Sequence, residues 1–235
     1  ADPNKVNKWG ETPIYWAAQK GYLNIVRYLF EAGADPNIKP RYGKTPLYQA
    51  TRFNRTAVVD YLRSIGADGW TEILIACYKG DLDKIRQLIV LGVDVEEANK
   101  YNETPIYIAT KEGHLDVVRY LVEEANVDTG KVADDGQTPI HVAAEIGHLD
   151  IVRYLIEEAN VDADKVANDG QTPIYISAKR GRLDVVRYLI EAGADPNKVN
   201  KWGETPIYTA ARNGHLNVVR YLVEKEKYKS KQRKY

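Results

Sequence analysis

Apolar and polar positions along this chain fall into a block that returns seven times. Residues 10–33, GETPIYWAAQKGYLNIVRYLFEAG, read as a helix pair. Thr12 is a good N-cap, and Pro13 at the first helical position gives up no bond, because that N–H has no partner inside the helix. A short first helix then closes at Gly21, where the missing Cβ permits the left-handed conformation. A second helix follows at once, with Leu23, Val26, Tyr28, Leu29 and Phe30 as one broad apolar stripe, and stops at Gly33. The segment ADPNIKPRYGK holds two prolines and a glycine, and is predicted to be an extended finger with a turn near its tip.

The block opens at Thr12, Thr45, Thr71, Thr104, Thr138, Thr172 and Thr205, at intervals of 33, 26, 33, 34, 34 and 33 residues. A fixed period in this range marks a solenoid of stacked units, each touching only its neighbours, so one elongated domain is expected. Substitutions at the glycine positions follow backbone chemistry. Asn54 stands where Gly21 stands, and Asn102 where Gly10 and Gly43 stand. Asn126 and Asn160 replace the terminal glycine in two units that carry one extra residue. Asparagine is the next most tolerant residue of the left-handed region.

Two irregularities interrupt the array. Gly66 and Thr71 are five steps apart, whereas Gly33 and Thr45 are twelve apart, so the third finger, near residues 67–70, has lost seven residues. Either the stack continues there with a notch or two arrays abut, and continued stacking is the expectation, since sequential elements are usually adjacent. The same unit has Glu72 in place of the usual proline. The second irregularity is an identity: residues 1–15, ADPNKVNKWGETPIY, recur unchanged at 194–208. That match fits a recent duplication within a longer array or an engineered origin, and the sequence does not choose between them.

Composition adds little to the fold but narrows the setting. The chain is 44% hydrophobic and 28% charged, with a formal net charge of zero. No apolar run approaches the roughly 20 residues that span a bilayer, and no secretory signal is visible, so an intracellular, non-membrane setting is expected. The lone Cys77 replaces a small residue of an Ala-Ala pair, is expected to be buried packing, and excludes an internal disulfide framework. With no methionine anywhere, the chain is expected to begin at a processed end. Residues 225–235 carry six basic residues and one acidic, leaving a mildly acidic body, residues 1–223, and a basic tail, residues 224–235, that prolongs the last helix.

Candidate chemistry is sparse. His114, His148 and His215 each follow the turn glycine and are expected to make structural hydrogen bonds. They stand one repeat apart, about 10 Å, too far to share a metal. No nucleophile elbow, phosphate-cradling loop or paired-cysteine motif occurs. Neither a catalytic group, a metal site nor a cofactor is expected.

The pattern TPIYxAxxxGxLxxVRYLxxAGADPN resembles the ankyrin repeat from the first finger to about Val223. The resemblance implies an all-α solenoid of antiparallel helix pairs with protruding β-hairpin fingers. The third unit's GDLDKIRQLI is similar to the capping repeat that opens many such arrays. One departure is the fourth motif residue, usually histidine: here it is Tyr15, Tyr48, Tyr107, Tyr175 and Tyr208, with His141 alone matching. A tyrosine keeps a polar tip, so an inter-repeat bond is still expected.

The resemblance further implies a concave face lined by fingers and first helices, which binds a partner protein without catalysis. Position by position, the partner-binding candidates are Trp9, Arg41, Tyr42, Phe53, Trp70, Tyr78, Tyr101, Asp135 and Trp202. The aromatic and arginine residues, the usual interface anchors, concentrate in the first four units. An anionic partner such as nucleic acid, bound through the basic tail, is the weaker alternative, and a structural spacer is a third. The first unit has no cap sequence, so its outer face is expected to self-associate or to lean on a missing upstream repeat.

Overall fold

A computed structural model describes residues 1–38, 40–41, 44–65, 67, 71–99 and 101–232, with side chains as far as Lys225. Fourteen helices are formed among the described residues, and they alternate between first and second members of seven pairs. The first helices are α1 (Pro13–Lys20), α3 (Pro46–Arg52), α5 (Glu72–Lys79), α7 (Pro105–Glu112), α9 (Pro139–Ile146), α11 (Pro173–Lys179) and α13 (Pro206–Arg212). The second helices are α2 (Leu23–Glu31), α4 (Thr56–Ser64), α6 (Leu82–Val90), α8 (Leu115–Glu123), α10 (Leu149–Glu157), α12 (Leu183–Glu191) and α14 (Leu216–Gln232).

The opening threonine acts as expected in most units. Its hydroxyl accepts from the backbone N–H three residues on, Thr12 from Tyr15 at 3.3 Å and Thr45 from Tyr48 at 3.2 Å. Thr71 makes no such bond, in the unit that also lacks the proline. Two residues after the threonine stands a buried aliphatic in the first six units, Ile14, Leu47, Ile73, Ile106, Ile140 and Ile174, and a partly buried one, Ile207, in the seventh. Each such burial stabilises by about 1.5–3 kcal/mol. Every first helix packs on the next first helix, from α1 on α3 through to α11 on α13. Cys77 is fully buried within this column, and burial pushes its thiol pKa up.

Among the described residues, the non-glycine positions with positive φ are Asn54, Asn102, Asn126 and Asn160, at 51–55°. These are the four substitutions singled out in the sequence. The fingers contain no strand ladder among the described residues and are hairpin turns instead. Asn7 N–H donates to the Glu11 carbonyl at 3.0 Å and Gly10 N–H to the Asn7 carbonyl at 2.9 Å. One part of the expected stripe is corrected: Tyr28 is exposed, because the arginine that covers its equivalents comes from a preceding unit.

Neighbouring units share three contacts. First, an arginine or histidine ten residues after the threonine reaches the carbonyl near the end of the preceding first helix. The contacts are Arg55 Nε to Gln19 O at 3.1 Å, His114 Nε2 with Tyr78 O at 3.0 Å, His148 Nε2 with Lys111 O at 3.4 Å, Arg182 Nε to Glu145 O at 3.2 Å and His215 Nε2 with Lys179 O at 2.9 Å. These carbonyls lack helical partners, so the donor completes the helix end. Second, adjacent fingertips join through backbone bonds, as from Arg41 N–H to Trp9 O at 2.8 Å and from Lys201 N–H to Asp169 O at 3.0 Å. Third, an arginine of each second helix lies over a tyrosine of the next, for example Arg119 on Tyr154 at 4.8 Å and Arg153 on Tyr188 at 4.5 Å. The same two tyrosine hydroxyls donate to Glu123 and Glu157 at 3.1 and 3.0 Å. Burial first, and then these carboxylates, push both phenols up to about 12.

The junction between units 2 and 3 departs from this scheme. Asp81 occupies the donor position and instead caps α6, accepting from Lys84 N–H at 3.0 Å. Asp60 and Gln87 stand where the arginine and tyrosine belong. The first helices α3 and α5 remain in contact, but the buried core divides here, one cluster spanning Ile14 to Ala67 and the other Ile73 to Leu222. Residues 66 and 68–70, which make up most of the shortened finger, lie outside the described residues.

Gly80 shows how tightly the regular junction is built. Its φ is +69°, and a Cβ there would sit 2.7 Å from the His114 ring. Gly80→Ala is expected to cost about 1–3 kcal/mol from left-handed strain and the displaced imidazole. Asn54→Gly, where φ is already permissive, is expected to change stability by well under 1 kcal/mol. Chemical denaturation of both variants checks the contrast.

Candidate partner-binding groove

Fingertip geometry follows from a coupled set of residues. Asn7 Oδ1 accepts from Trp9 N–H at 2.9 Å and Glu11 N–H at 3.1 Å, and its amide donates to the Glu11 carboxylate at 2.8 Å. Asn99 with Glu103 and Asn200 with Glu204 repeat the arrangement. In fingers 5 and 6 alanine replaces the asparagine, and the tip aspartate takes over. Asp135 accepts from Gln137 N–H and Asp169 from Gln171 N–H, both at 3.0 Å. In fingers 1, 4 and 7 an aromatic tip goes with the Asn–Glu pair, and in fingers 5 and 6 an aspartate tip goes with Ala–Gln.

Fingers and first helices enclose two cavities in a row over units 4–7. The first, about 450 Å³, has Tyr107, Lys111, Val142, Glu145 and Arg180 on its helix side and Glu103 and Asp135 on its finger side. The second, about 400 Å³, lies between Tyr175, Lys179 and Arg212 on one side and Trp202 and Glu204 on the other. Carboxylates and cations are paired along both. Glu103 meets Lys111 at 2.9 Å, Glu145 meets Arg180, and Glu204 meets Arg212. The Tyr175 hydroxyl donates to Glu204 at 2.6 Å. That bond first, then Asn200, holds the Glu204 carboxyl below its ordinary range. Around Tyr107, burial and then Asp135, Glu103 and Glu145 push the phenol up.

The residues singled out in the sequence scatter along this surface. Trp9 is exposed with the Lys8 ammonium 4.3 Å from its ring, and Arg41 is exposed beside it. Phe53 is exposed at the end of α3 under Arg52. Tyr101 is half-buried, its N–H bonded to Asn99 and its carbonyl taking Asp134 N–H. Asp135 and Trp202 line the two cavities, whereas Trp9, Arg41, Phe53, Tyr78 and Tyr101 line neither. Tyr42 and Trp70 lie outside the described residues.

Tyr78 belongs to the irregular junction. Its hydroxyl accepts from Lys44 Nζ at 3.0 Å, its ring meets Tyr48 edge-on at 5.6 Å, and Lys44 lies 5.2 Å from the Tyr78 ring and 5.6 Å from that of Tyr48. The lysine bond lowers the Tyr78 phenol, while burial raises that of Tyr48. Lys79 Nζ reaches Arg52 O at 3.4 Å, the carbonyl that Asp81 cannot serve. The pairs that the concave-face charges of units 4–7 form were not read from the sequence. Their signal is a glutamate before the threonine and a Lys or Arg eight residues later, at Glu103/Lys111 and Glu204/Arg212.

Two of the motif tyrosines bond between repeats: the Tyr15 hydroxyl accepts from Gln49 Nε2 at 2.5 Å, and Tyr175 reaches Glu204. His141 does the same differently. Its Nδ1 lies 2.8 Å from Thr138 Oγ1 and accepts from Thr138 N–H at 3.3 Å, so Nε2 carries the proton and donates to Lys165 O at 3.0 Å. Among the described residues no group of His, Cys, Asp and Glu side chains is placed to hold a metal, and no helix is long and apolar enough to cross a membrane.

The profile of ankyrin repeats in three copies matches residues 1–72, 73–169, 125–200 and 157–234, and the chain belongs to the ankyrin-repeat family. The first match ends and the second begins where the buried core divides. Among similar proteins, the rat (Rattus norvegicus) glutaminase liver isoform, mitochondrial, is 36% identical over 24% of this chain and 9% of its own length. Palmitoyltransferase AKR1 of Lachancea kluyveri is 30% identical over 52% of this chain and 18% of its own. Notch-regulated ankyrin repeat-containing protein A of Danio rerio is 38% identical over 27% and 56%. The aligned part of this chain thus spans well under two thirds of each.

Burial lowers the His141 pKa from 6.5 to about 4, against the weaker opposing pull of the Lys165 carbonyl and the Asp169 charge. The unfolded chain therefore binds a proton below pH 6.5 that the folded one refuses. Stability should fall with pH by up to about 1.4 kcal/mol per unit between 6.5 and 4. His141→Tyr, carrying the residue of five other units, is expected to lose that component of the slope. Denaturant midpoints of both proteins across pH 4–7 read the difference.

Proposed function

We propose that this chain is a non-catalytic binding module whose groove over units 4–7 takes an extended segment of a partner protein. The observation that carries the reading is the pair of consecutive cavities walled by fingertips, floored by first-helix tyrosines and bordered by half-exposed ion pairs. Ankyrin repeats generally mediate protein–protein interaction, which agrees with it. A segment offering both charge signs and an apolar side chain would exchange with the resident pairs while covering Trp202. In the first cavity three carboxylates, Glu103, Asp135 and Glu145, stand against three cations, Lys111, Arg180 and Arg182, which argues against a strongly anionic ligand there. The non-catalytic reading is supported by the histidines: His114, His148 and His215 are each committed to a backbone carbonyl. Cys77, buried with a raised pKa, sets up no nucleophile.

The test is capture of a partner on the immobilised chain, followed by titration of the purified partner. Truncating interface anchors costs about 2 kcal/mol or more, roughly thirtyfold in affinity. Trp202→Ala with Arg180→Ala is expected to weaken binding by that much while leaving the helical signal intact, and deletion of residues 225–235 to leave affinity unchanged. The opposite pattern, with affinity for duplex DNA falling linearly in log salt, would replace the groove by the basic tail as the binding element.

A further inference from the structure

A cavity of about 250 Å³ opens at the irregular junction, between the turn of unit 2, at Thr51 and Asn54, and the helices of unit 3, at Ile75, Ala76, Lys79 and Asp81. At five other junctions a guanidinium or imidazole from the residue ten after the threonine crosses this place and holds the carbonyl of the preceding first helix. Here that residue is Asp81, itself an acceptor, whose Oδ1 is turned to Lys84 N–H at 3.0 Å. The carbonyl that the missing donor would serve is Arg52 O. Lys79 Nζ reaches it at 3.4 Å, long for a charged donor.

The turn beneath the cavity is built for a donor that arrives from outside. A Cβ at Gly21 would stand 2.8 Å from Arg55 Cδ, and one at Gly147 would stand 3.0 Å from Arg182 Cδ, so a donor stem from the chain itself needs glycine in the turn. Unit 2 has Asn54 there, at a φ of 55°, and its Cβ stands in the path that an arginine stem from position 81 would take. A guanidinium entering from solvent avoids that clash, because its stem runs outward instead of along the turn.

We propose that this cavity binds an arginine side chain of a partner protein, its guanidinium donating to Arg52 O and to the Asp81 carboxylate. A carboxylate accepts at both oxygens, so Asp81 serves this donor while still capping α6. Ile75 and Ala76, both buried, offer an apolar wall to a planar and weakly hydrated group. Glu72 and Lys84 at the rim are paired with each other at 3.6 Å, and the long Lys79 bond yields to the stronger donor. A planar fork reaches two acceptors at once, which an ammonium does not match. The bound group supplies the bond that the chain leaves out, and so ties units 1–2 to units 3–7 where the core divides. No lining residue is shared with the cavities over units 4–7, and the site does not depend on what they bind.

Titration of the whole chain with an acetylated and amidated glycyl-arginyl-glycine peptide, read by amide chemical shifts, tests this. Shifts are expected at residues 51–54 and 75–84, saturating with a Kd on the order of 1 mM, as suits a single side chain. The same peptide with lysine in place of arginine carries equal charge and is expected to bind about tenfold more weakly. Asp81→Asn keeps the cap on α6 and loses the carboxylate, and is expected to weaken the arginine peptide about tenfold. Asp81→Arg combined with Asn54→Gly rebuilds the regular junction, fills the cavity from within, and is expected to abolish the response. Circular dichroism checks that both variants fold. No shift with about 10 mM arginine peptide, equal affinity for the two peptides, or an unchanged affinity in either variant overturns the proposal.

Discussion

Everything in this molecule depends on one constraint: a helix pair of this kind cannot bury its own apolar face, and each unit is completed by the next. The first helices supply the aliphatic column, but the contact that aligns them is polar. A donor ten residues after each threonine reaches the carbonyl seven residues after the threonine before it, whether the donor is histidine or arginine. Because that carbonyl is an open helix end, the bond serves two purposes. It satisfies an orphan acceptor and fixes the register of neighbouring units. The turn glycine beneath it follows from the same geometry, since the donor side chain lies where a Cβ would stand.

The one junction without that donor is also where the core divides. Asp81 is an acceptor and turns to its own helix, and Asp60 and Gln87 interrupt the arginine–tyrosine ladder. What joins units 2 and 3 instead is a cluster of Lys44, Tyr48 and Tyr78, with Lys79 reaching across at a long 3.4 Å. Cation–π and edge-on ring contacts contribute about 0.5–1.5 kcal/mol each, less than a fully buried aliphatic face. The cavities over units 4–7 lie on the larger side of this joint, in the block with the continuous core.

Much of the fold was legible because its determinants are local. Threonine, proline and glycine mark each helix end, and the four asparagines at positive φ were readable from their alignment with glycines. The structural bonds of the histidines were readable too. Properties set by another unit were not. Tyr28 looks like part of an apolar stripe, yet it is exposed, whereas the equivalent Tyr154 and Tyr188 are buried beneath an arginine of the preceding unit. Tyr78 looks like a groove aromatic but is drawn to Lys44, thirty-four residues away. Asp135 looks like a free surface acid, while the loss of the finger's asparagine gives it a backbone N–H to hold. In units 4–7 the groove is defined less by its aromatics than by Glu–Lys and Glu–Arg pairs, whose partners meet only once the finger folds over the helix.

The central claim is that coupling between units is carried by these nearest-neighbour contacts and is weakest between units 2 and 3. Native-state hydrogen exchange of the whole chain under increasing denaturant tests it most directly. The account predicts that amides of α1–α4 share one opening free energy, and that those of α5–α13 share a higher one with a steeper denaturant dependence. A single opening free energy and slope common to both blocks would contradict it.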